Sequence, residues 1–386
     1  MSEQVPAQWS NFYLKDVSFV NLMMRRIYNV LIVANPYDAF MLEDDGRVEE
    51  KIYNEYMELG LRYPPTFTQV STIEEASKVL NTVDIDLVIC MPGNADNDAF
   101  DVARAVKAEF PDIHCVVLTP FSHGITKRIQ NEDLSIFDYV FCWLGNTNLI
   151  LSIIKLMEDK MNIDNDIHEV GVQMILLVED SIRFYSSILP NLYSYILTQS
   201  QNFATEALTR HEASLRQRGR PKVVLARTYE EAWEIYQRYK DNCLGVISDV
   251  RFPINNVDEN TQTAAEGSVP VVEKDPEAGL KLLRAIRKED EYLPLIIESS
   301  ESENREKAEA EGFCFVDKNS KKMSVDLRRL LEEHMGFGDF IFRNPKTHEE
   351  VMRVRNLKEL QDNIFKIPRD SMLYHISRNH MSRWLS

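Results

Sequence analysis

Residues 172–180, with the sequence Val-Gln-Met-Ile-Leu-Leu-Val-Glu-Asp, decide how the chain folds. This short, almost continuous apolar run ends in two acids and is followed by a helical pattern. A parallel strand that is buried on both faces has a run of this kind. In an open α/β sheet, the functional groups lie just beyond the carboxyl ends of the strands. Glu179 and Asp180 therefore either belong to a site that holds a cation such as Mg²⁺ or cap the following helix.

Three later apolar runs also end in polar residues. The run Leu-Gly-Val-Ile-Ser ends at Asp249, Pro-Leu-Ile-Ile-Glu ends at Ser299, and Phe-Cys-Phe-Val-Asp ends at Lys318. Each run has the length and apolar character of a buried strand. An acid pair, a single Asp, a hydroxyl and a Lys thus follow one another at successive strand ends.

This ordered set resembles the site of the receiver domains of two-component response regulators, over roughly residues 170–336. The resemblance implies that the carboxylate of Asp249 attacks a phosphoryl group and becomes an acyl phosphate. It also implies one Mg²⁺, held by Glu179, Asp180, Asp249 and the backbone carbonyl of Arg251. The implied donor is a histidine kinase or a small phosphodonor.

Three further residues have roles that the resemblance implies. Lys318 supplies a second positive charge, Ser299 donates its hydroxyl to the phosphoryl group, and Phe315 is the aromatic switch that couples phosphorylation to the surface. Each has a simpler alternative, since Lys318 fits an ordinary loop cation, Ser299 a strand-end hydroxyl and Phe315 a core residue. For Asp249 a purely structural role is hard to find, because its charge directly follows a buried apolar run.

The second half departs from the receiver pattern in two places. Asn319 follows Lys318, where receivers usually have a proline. The glycine that receivers reach soon after the acceptor is delayed here to Gly279, beyond an insertion at 253–278. A long segment that begins at the reactive Asp is interpreted either as a lid that limits phosphorylation or hydrolysis, or as a tolerated surface insertion.

The first half of the chain alternates between strand and helix patterns in the same way. Strands are predicted at 27–35, 66–71, 87–91, 114–119 and 139–143, and helices at 48–59, 73–80, 99–109, 125–131 and 148–161. This alternation predicts a parallel sheet with helices on both faces. The motif Thr-x-Glu-Glu-Ala occurs at Thr72 and again at Thr228, where the second strand of each half gives way to a helix. The chain is therefore predicted to be a tandem of two like domains.

The two copies differ in chemistry. In the first, Ala34 and Asn35 replace the acid pair, Met91 replaces the acceptor, and the last strand at 139–143 supplies no lysine. Thr119 alone keeps the polar character of its counterpart. Without carboxylates there is no Mg²⁺ site, so the first copy resembles a pseudo-receiver that acts as a scaffold or docking surface.

The bulk composition limits the class of protein. The 386 residues allow two or three domains, and a net charge of −17 excludes a large nucleic-acid-binding surface. No apolar run approaches the ~20 residues that cross a bilayer, and no signal-peptide pattern begins the sequence. The five cysteines fall in or beside predicted strands without a Cys-x-x-Cys pair, which indicates buried free thiols. These features predict a cytoplasmic protein.

The predicted organisation is an N-terminal extension at 1–26, a pseudo-receiver at 27–163, a receiver at 170–336 and a C-terminal linker and helical segment at 337–386. The extension is expected to hold a short amphipathic helix. The first helix of the receiver is expected to be unusually long, over 182–218, and the tail to be helical over 349–360. Histidines of the tail are interpreted as surface or capping residues. The helical pattern that reaches Trp384 suggests the front of a longer protein.

A second resemblance concerns the two ends of the chain. Residues 26–43, 61–65 and 374–380 are similar to the amino-terminal region of large bacterial phosphoenolpyruvate-synthase-like proteins. The nucleotide-binding, phosphohistidine and pyruvate-binding parts of that family do not occur in this sequence. This resemblance implies a regulatory front end, whose partner is a C-terminal catalytic region.

Taken together, the sequence predicts an α/β protein with two doubly wound, five-stranded, parallel-sheet domains of flavodoxin-like type and a short C-terminal extension. Its predicted function is Mg²⁺-dependent phosphoryl acceptance at Asp249, with output to a protein partner or a C-terminal region and a possible homodimer. The alternatives are an unphosphorylated interaction scaffold and a phosphotransferase. The last would need a nucleotide site, and no Gly-rich phosphate loop occurs among only 13 glycines.

Overall fold

The computed structural model describes residues 21–40, 42, 47–91, 99–120, 136–205, 209–254 and 274–385. Five strands form the first sheet: β1 (Asn29–Val33), β2 (Thr66–Val70), β3 (Leu87–Cys90), β4 (His114–Pro120) and β5 (Tyr139–Trp143). All neighbouring pairs are parallel, in the order β2-β1-β3-β4-β5. This is the flavodoxin-like order of a doubly wound sheet.

Helices connect these strands, as the alternating pattern requires. They are α1 (Pro36–Phe40), α2 (Val48–Glu58), α3 (Ile73–Leu80), α4 (Ala99–Glu109) and α5 (Asn148–Asn165). The predicted strands and the helices predicted at 48–59, 73–80, 99–109 and 148–161 agree with the structure to within a few residues, and α5 continues four residues beyond its predicted end. The short helix α1 was not predicted. The helix predicted at 125–131 lies outside the described residues.

The second half repeats the same topology. Its strands are β6 (Met174–Val178), β7 (Lys222–Ala226), β8 (Cys243–Asp249), β9 (Phe252–Pro253), β10 (Lys274–Asp275), β11 (Leu295–Ser299) and β12 (Cys314–Asp317). Five of them form a parallel sheet in the order β7-β6-β8-β11-β12, while β9 and β10 pair as a short antiparallel ribbon. The predicted fold of two doubly wound five-stranded sheets is confirmed.

Six helices accompany the second sheet: α6 (Ile182–Thr205), α7 (Arg210–Arg218), α8 (Tyr229–Tyr239), α9 (Ala278–Glu289), α10 (Glu303–Ala310) and α11 (Met323–His334). The single long helix predicted over 182–218 is wrong, because α6 ends at Thr205 and α7 turns back on it. The guanidinium of Arg216 donates to the backbone carbonyl of Phe203 at 3.0 Å and lies over its ring. This local pairing of the two helices accounts for the turn.

The repeated motif acts as a helix cap in both domains. The Thr72 hydroxyl accepts the Glu75 N–H at 3.2 Å, and the Glu75 carboxylate accepts the N–H of Ser71 at 2.9 Å. The Thr228 hydroxyl and Glu231 make the equivalent bonds at the start of α8. Each motif thus caps the helix that follows the second strand of its domain.

Part of the apolar core is shared by the two domains. A single cluster of buried apolar side chains contains residues of β1, β5, α5, α6, β6 and β7. Within it, Arg220 forms a two-bonded ion pair with Asp159 of α5, with nitrogen–oxygen distances of 2.7 and 2.9 Å. The Tyr193 hydroxyl and the Val223 N–H also donate to Asp159. Because these charged side chains are almost fully buried, the ion pair fixes α5 of the first domain against β7 of the second.

The C-terminal segment contains a hairpin of β13 (Phe340–Arg343) and β14 (Glu350–Val354), followed by α12 (Leu357–Asn363), α13 (Arg369–Ser377) and α14 (His380–Leu385). The helix predicted over 349–360 is therefore wrong in its first half. The indole of Trp384 packs on Phe340 and donates to a backbone carbonyl at 2.8 Å. His375 is buried beside His380, rather than lying at the surface as predicted, and accepts the Arg343 N–H.

The structure also bears on the predictions about membrane spans, cysteines and the N-terminal extension. None of the helices in the described ranges is long and apolar enough to cross a membrane. All five cysteines are free, and four of them are buried. Of the predicted N-terminal helix, only residues 21–26 are described, and they are not α-helical.

Candidate functional site

The carboxyl ends of β6, β8 and β12 bring four charged side chains together. Glu179 and Asp180 follow β6, Asp249 ends β8, and Lys318 follows β12. The Lys318 ammonium donates to Glu179 and, at 2.6 Å, to an oxygen of Asp249. This edge of the sheet is the point at which the strand order reverses, where open α/β sheets bind their ligands. The structure therefore gathers the acid pair, the single Asp and the Lys that the sequence predicted.

The three carboxylates can hold a hard cation. One oxygen each from Glu179, Asp180 and Asp249 lie within 4.8 Å of one another, the only such group of three possible metal ligands among the described residues. One oxygen of Asp180 is buried without a hydrogen-bond partner in the structure. An orphaned buried carboxylate oxygen is costly unless a cation or water satisfies it. The oxygen-only donor set therefore fits Mg²⁺.

Burial dominates the electrostatics of the acid pair. It raises the pKa of Glu179 to about 8, against the lowering effect of the Lys318 charge, and the charge of Asp249 adds to the rise. Burial also raises the pKa of Asp180, although Lys274 opposes this. For Lys318, burial favours the neutral amine, but the surrounding carboxylates outweigh it and raise its pKa. A cation bound at this edge would stabilise the ionised form of both acids.

Ser299 and Arg251 lie at the same edge, with different partners. The Ser299 hydroxyl oxygen accepts the Asn304 side-chain amide at 2.9 Å and the Glu301 N–H at 3.1 Å, so its own hydrogen remains available to donate. The Arg251 side chain pairs with Glu301 at 2.8 Å, and its N–H lies 3.4 Å from an oxygen of Asp249. The metal-binding role of its backbone carbonyl stays a prediction.

Phe315, the predicted switch, lies on β12 among core side chains and is 9% exposed. The guanidinium of Arg305 stacks over its ring at 4.6 Å from the centroid. The ring therefore has one face in the core and one under a solvated cation. This placement suits the core alternative as well as the switch, which stays a prediction.

Gly279 is held against the backbone of Asp249. Its N–H donates to the Val250 carbonyl at 3.0 Å, and a Cβ at this position would lie 1.9 Å from the backbone carbonyl oxygen of Asp249. That distance is far inside van der Waals contact, so only glycine fits. The delayed glycine thus occupies a tight approach beside Asp249 despite the insertion.

Sequence reasoning missed two charged residues of this site. Lys274, at the end of the insertion, forms an ion pair with Asp180 at 2.5 Å. Glu298 lies on β11 directly opposite Asp249, is fully buried, and has no hydrogen-bond partner for either carboxylate oxygen. Glu298 could have been predicted, because it is an acid inside an otherwise apolar strand. Nothing in the sequence near Lys274 indicates that it contacts Asp180.

A cleft of about 400 Å³ adjoins Lys318. Phe184, in the first turn of α6, lines it and carries the Lys318 ammonium 4.5 Å above its ring centroid. Leu144 of the first domain, together with Arg183 and Lys321 of the second, also contributes to its wall. The cleft therefore lies mainly in the second domain, with Leu144 at its rim, and its lining combines cations and hydroxyls with apolar side chains.

The corresponding edge of the first domain has other contacts. The side-chain oxygen of Asn35 accepts the N–H groups of Tyr37 and Asp38, and its side-chain amide donates to the Asp38 carboxylate. Met91 and Thr119 are buried. In the described residues, Asn35 therefore works as a cap of α1, where the second domain has its acid pair.

No family model matches the chain, and no curated protein matches it. Among solved structures, it is similar to a probable two-component system response regulator/GGDEF domain protein at 13% identity, with a TM-score of 0.31 over 79% of this chain and 98% of that chain. A putative two-component system response regulator/GGDEF domain protein matches at 14% identity, with the same coverage and TM-score. UDP-GlcNAc 2-epimerase from Methanocaldococcus jannaschii matches at 13% identity and a TM-score of 0.22, over 88% of this chain and 99% of that chain. Because these TM-scores are low, the fold assignment rests on the strand order of the two sheets.

Proposed function

We propose that the second domain accepts a phosphoryl group on Asp249 in a reaction that depends on Mg²⁺. The observation that carries this proposal is the Lys318 ammonium shared between Glu179 and Asp249, 2.6 Å from the latter, at the strand-order reversal of the sheet. An ammonium at hydrogen-bond distance from a nucleophilic carboxylate offsets the repulsion between that carboxylate and an incoming phosphoryl group. The orphaned oxygen of Asp180 supports a cation beside them.

The proposed reaction is a displacement at phosphorus. A carboxylate oxygen of Asp249 forms the new bond, and the bond from phosphorus to the donor nitrogen or oxygen breaks, with its electron pair leaving on the donor. The donor is the phosphohistidine of a kinase or a small acyl phosphate. When bound by Glu179, Asp180, Asp249 and the Arg251 carbonyl, Mg²⁺ supplies positive charge for the phosphoryl oxygens.

The chain's own residues position the product. Lys318 would exchange one of its carboxylate contacts for a phosphoryl oxygen, since an ammonium has three donors. The Ser299 hydroxyl, held by Asn304, has a hydrogen left to donate to the same group. The first domain, which carries Asn35 and Met91 at these positions, serves as the platform on which the second is built.

A second candidate is an interaction scaffold that is never phosphorylated, for example the regulatory front end of a phosphoenolpyruvate-synthase-like enzyme. It is favoured by the two lysines, because Lys318 and Lys274 already pair with all three carboxylates. In that function the site would hold β6, β8 and β12 together without metal. Output in either case passes to a protein partner or to a C-terminal catalytic region.

The test is intact mass and peptide mapping of the whole chain after incubation with Mg²⁺ and acetyl phosphate. We expect one added phosphoryl group that maps to Asp249 and is absent from Asp249→Asn. Asp241→Asn, at an exposed position outside the site, is the matched control and should be modified like the wild type. A wild-type protein that stays unmodified would refute phosphoryl acceptance and favour the scaffold. Equal modification of the wild type and of Asp249→Asn would refute the role of Asp249, because the modified residue would then lie elsewhere.

A further inference from the structure

Lys274 contacts the carboxylate of Asp180, which a metal ion at this site would also need. Its ammonium lies 2.5 Å from one carboxylate oxygen of Asp180, and the other oxygen of the same carboxylate is buried without a partner. We propose that Lys274 is a built-in competitor of Mg²⁺, which lowers the affinity of the site until the lysine moves aside. This inference rests on the proposed function and identifies a residue that sets its metal requirement.

The backbone holds Lys274 at this position. Lys274 pairs with Pro253 across the β9–β10 ribbon, and Asp275 pairs with Phe252, whose side chain is fully buried. The Asp275 carboxylate accepts the Glu277 N–H at 2.8 Å. The ribbon starts three residues after Asp249, so the chain returns from the insertion with a lysine aimed at the acid pair.

The division of charge at the site favours competition. Lys318 forms ion pairs with Glu179 and Asp249, and Lys274 forms one with Asp180. Two ammonium groups therefore already lie against the three carboxylates. A divalent ion on Asp180 would lie within a few ångströms of the Lys274 ammonium, and the two cations would repel each other. A metal therefore binds more tightly once this ammonium has left.

The Lys274 side chain can turn out into solvent, whereas the buried Lys318 side chain cannot. The Lys274 side chain is 45% exposed, and the Lys318 side chain is 2% exposed. A solvated lysine loses little when its ion pair opens, because surface pairs contribute little to stability. Lys274 is thus placed to tune the site without being needed to hold it together.

The experiment measures Mg²⁺ affinity by calorimetric titration of the full-length, metal-free protein. We expect Lys274→Gln to bind Mg²⁺ roughly two- to fivefold more tightly than the wild type at low salt, the range expected from one exposed ion pair. Lys274→Arg keeps the charge and should stay close to the wild type. The difference between wild type and Lys274→Gln should shrink at high ionic strength, since salt screens an exposed pair.

Lys307→Gln is the matched control, because Lys307 pairs with Glu277 outside the site and is similarly exposed. It should leave the Mg²⁺ affinity unchanged. Equal affinities for wild type and Lys274→Gln, in proteins with the same far-ultraviolet circular dichroism, would overturn the competitor role and leave the proposed function standing. No Mg²⁺ binding by either protein would overturn the metal site itself, and the competitor role with it.

Discussion

Replacing Glu298 by Gln should make the protein more stable at neutral and alkaline pH. Glu298 is fully buried on β11, and neither of its carboxylate oxygens has a hydrogen-bond partner in the structure. Burial raises its pKa from 4.5 to about 7, although the Lys318 charge opposes the rise and Asp249 adds to it. The folded protein therefore holds a proton on Glu298 that the unfolded chain releases near pH 4.5.

The size and sign of the effect follow from that difference. Because the folded state binds more protons than the unfolded state between pH 4.5 and about 7, the free energy of unfolding falls as pH rises through this range. The difference between the two pKa values corresponds to a total loss of about 3 kcal/mol. About 2 kcal/mol of it falls between pH 5.5 and 8. Because Gln at position 298 does not titrate, the free energy of unfolding of the variant does not fall for this reason.

The assay is urea unfolding of metal-free wild type and Glu298→Gln at several pH values from 5.5 to 8. Other titrating groups, Glu179 among them, are common to both proteins and largely cancel in the difference. Glu303→Gln, at an exposed position on α10, is the control and should stay within about 0.5 kcal/mol of the wild type at every pH. A difference between wild type and Glu298→Gln that does not grow with pH would refute the reasoning.

Two further substitutions test the contact between the domains and the backbone beside Asp249. Asp159→Asn leaves the Arg220 charge buried without its two-bonded partner, and urea unfolding should show a loss of about 3–5 kcal/mol; a loss under 1 kcal/mol would contradict a structural role for this pair. Gly279→Ala places a Cβ 1.9 Å from the Asp249 carbonyl oxygen, so the end of β8 must shift, and phosphorylation by acetyl phosphate should fall at least about tenfold. Gly219→Ala, whose Cβ would meet neighbours at ordinary contact distance, is its control, and equal rates for both variants would contradict the tight approach.

Local patterns were enough to predict the sheets and most of the charged cluster. The runs that end at Asp180, Asp249 and Lys318 are buried parallel strands. Such strands can be predicted from their almost continuous apolar sequence. Since strand ends of a doubly wound sheet meet at one edge, the order of these residues in sequence predicts their meeting in space. The contacts of Lys318 with Glu179 and Asp249 are the outcome of that rule.

Contacts made away from the strand ends of the two main sheets could not be predicted in the same way. Lys274 reaches Asp180 from the end of an insertion, and the ribbon that aims it is only two residues long on each strand. The helix predicted over 349–360 covers β14, which lies mostly at the surface and buries fully only Val354. β14 pairs with β13, whose alternate residues are buried. This pairing depends on tertiary packing, which the local hydrophobic pattern of β14 does not reveal.

One turn of helix joins the candidate site to the first domain. The acid pair leads directly into α6, where the ring of Phe184 lies under the Lys318 ammonium. The next residue, Tyr185, donates its hydroxyl to a backbone carbonyl of β5, and the hydroxyl of Ser186 accepts a backbone N–H of the same strand at 2.9 Å. All three contacts are made by consecutive residues on a rigid element. In the proposed reaction, a displacement of Lys318 toward the phosphoryl group would therefore change contacts that α6 makes with β5, the edge strand of the first domain. The first domain would then take part in the response although it lacks the acid pair.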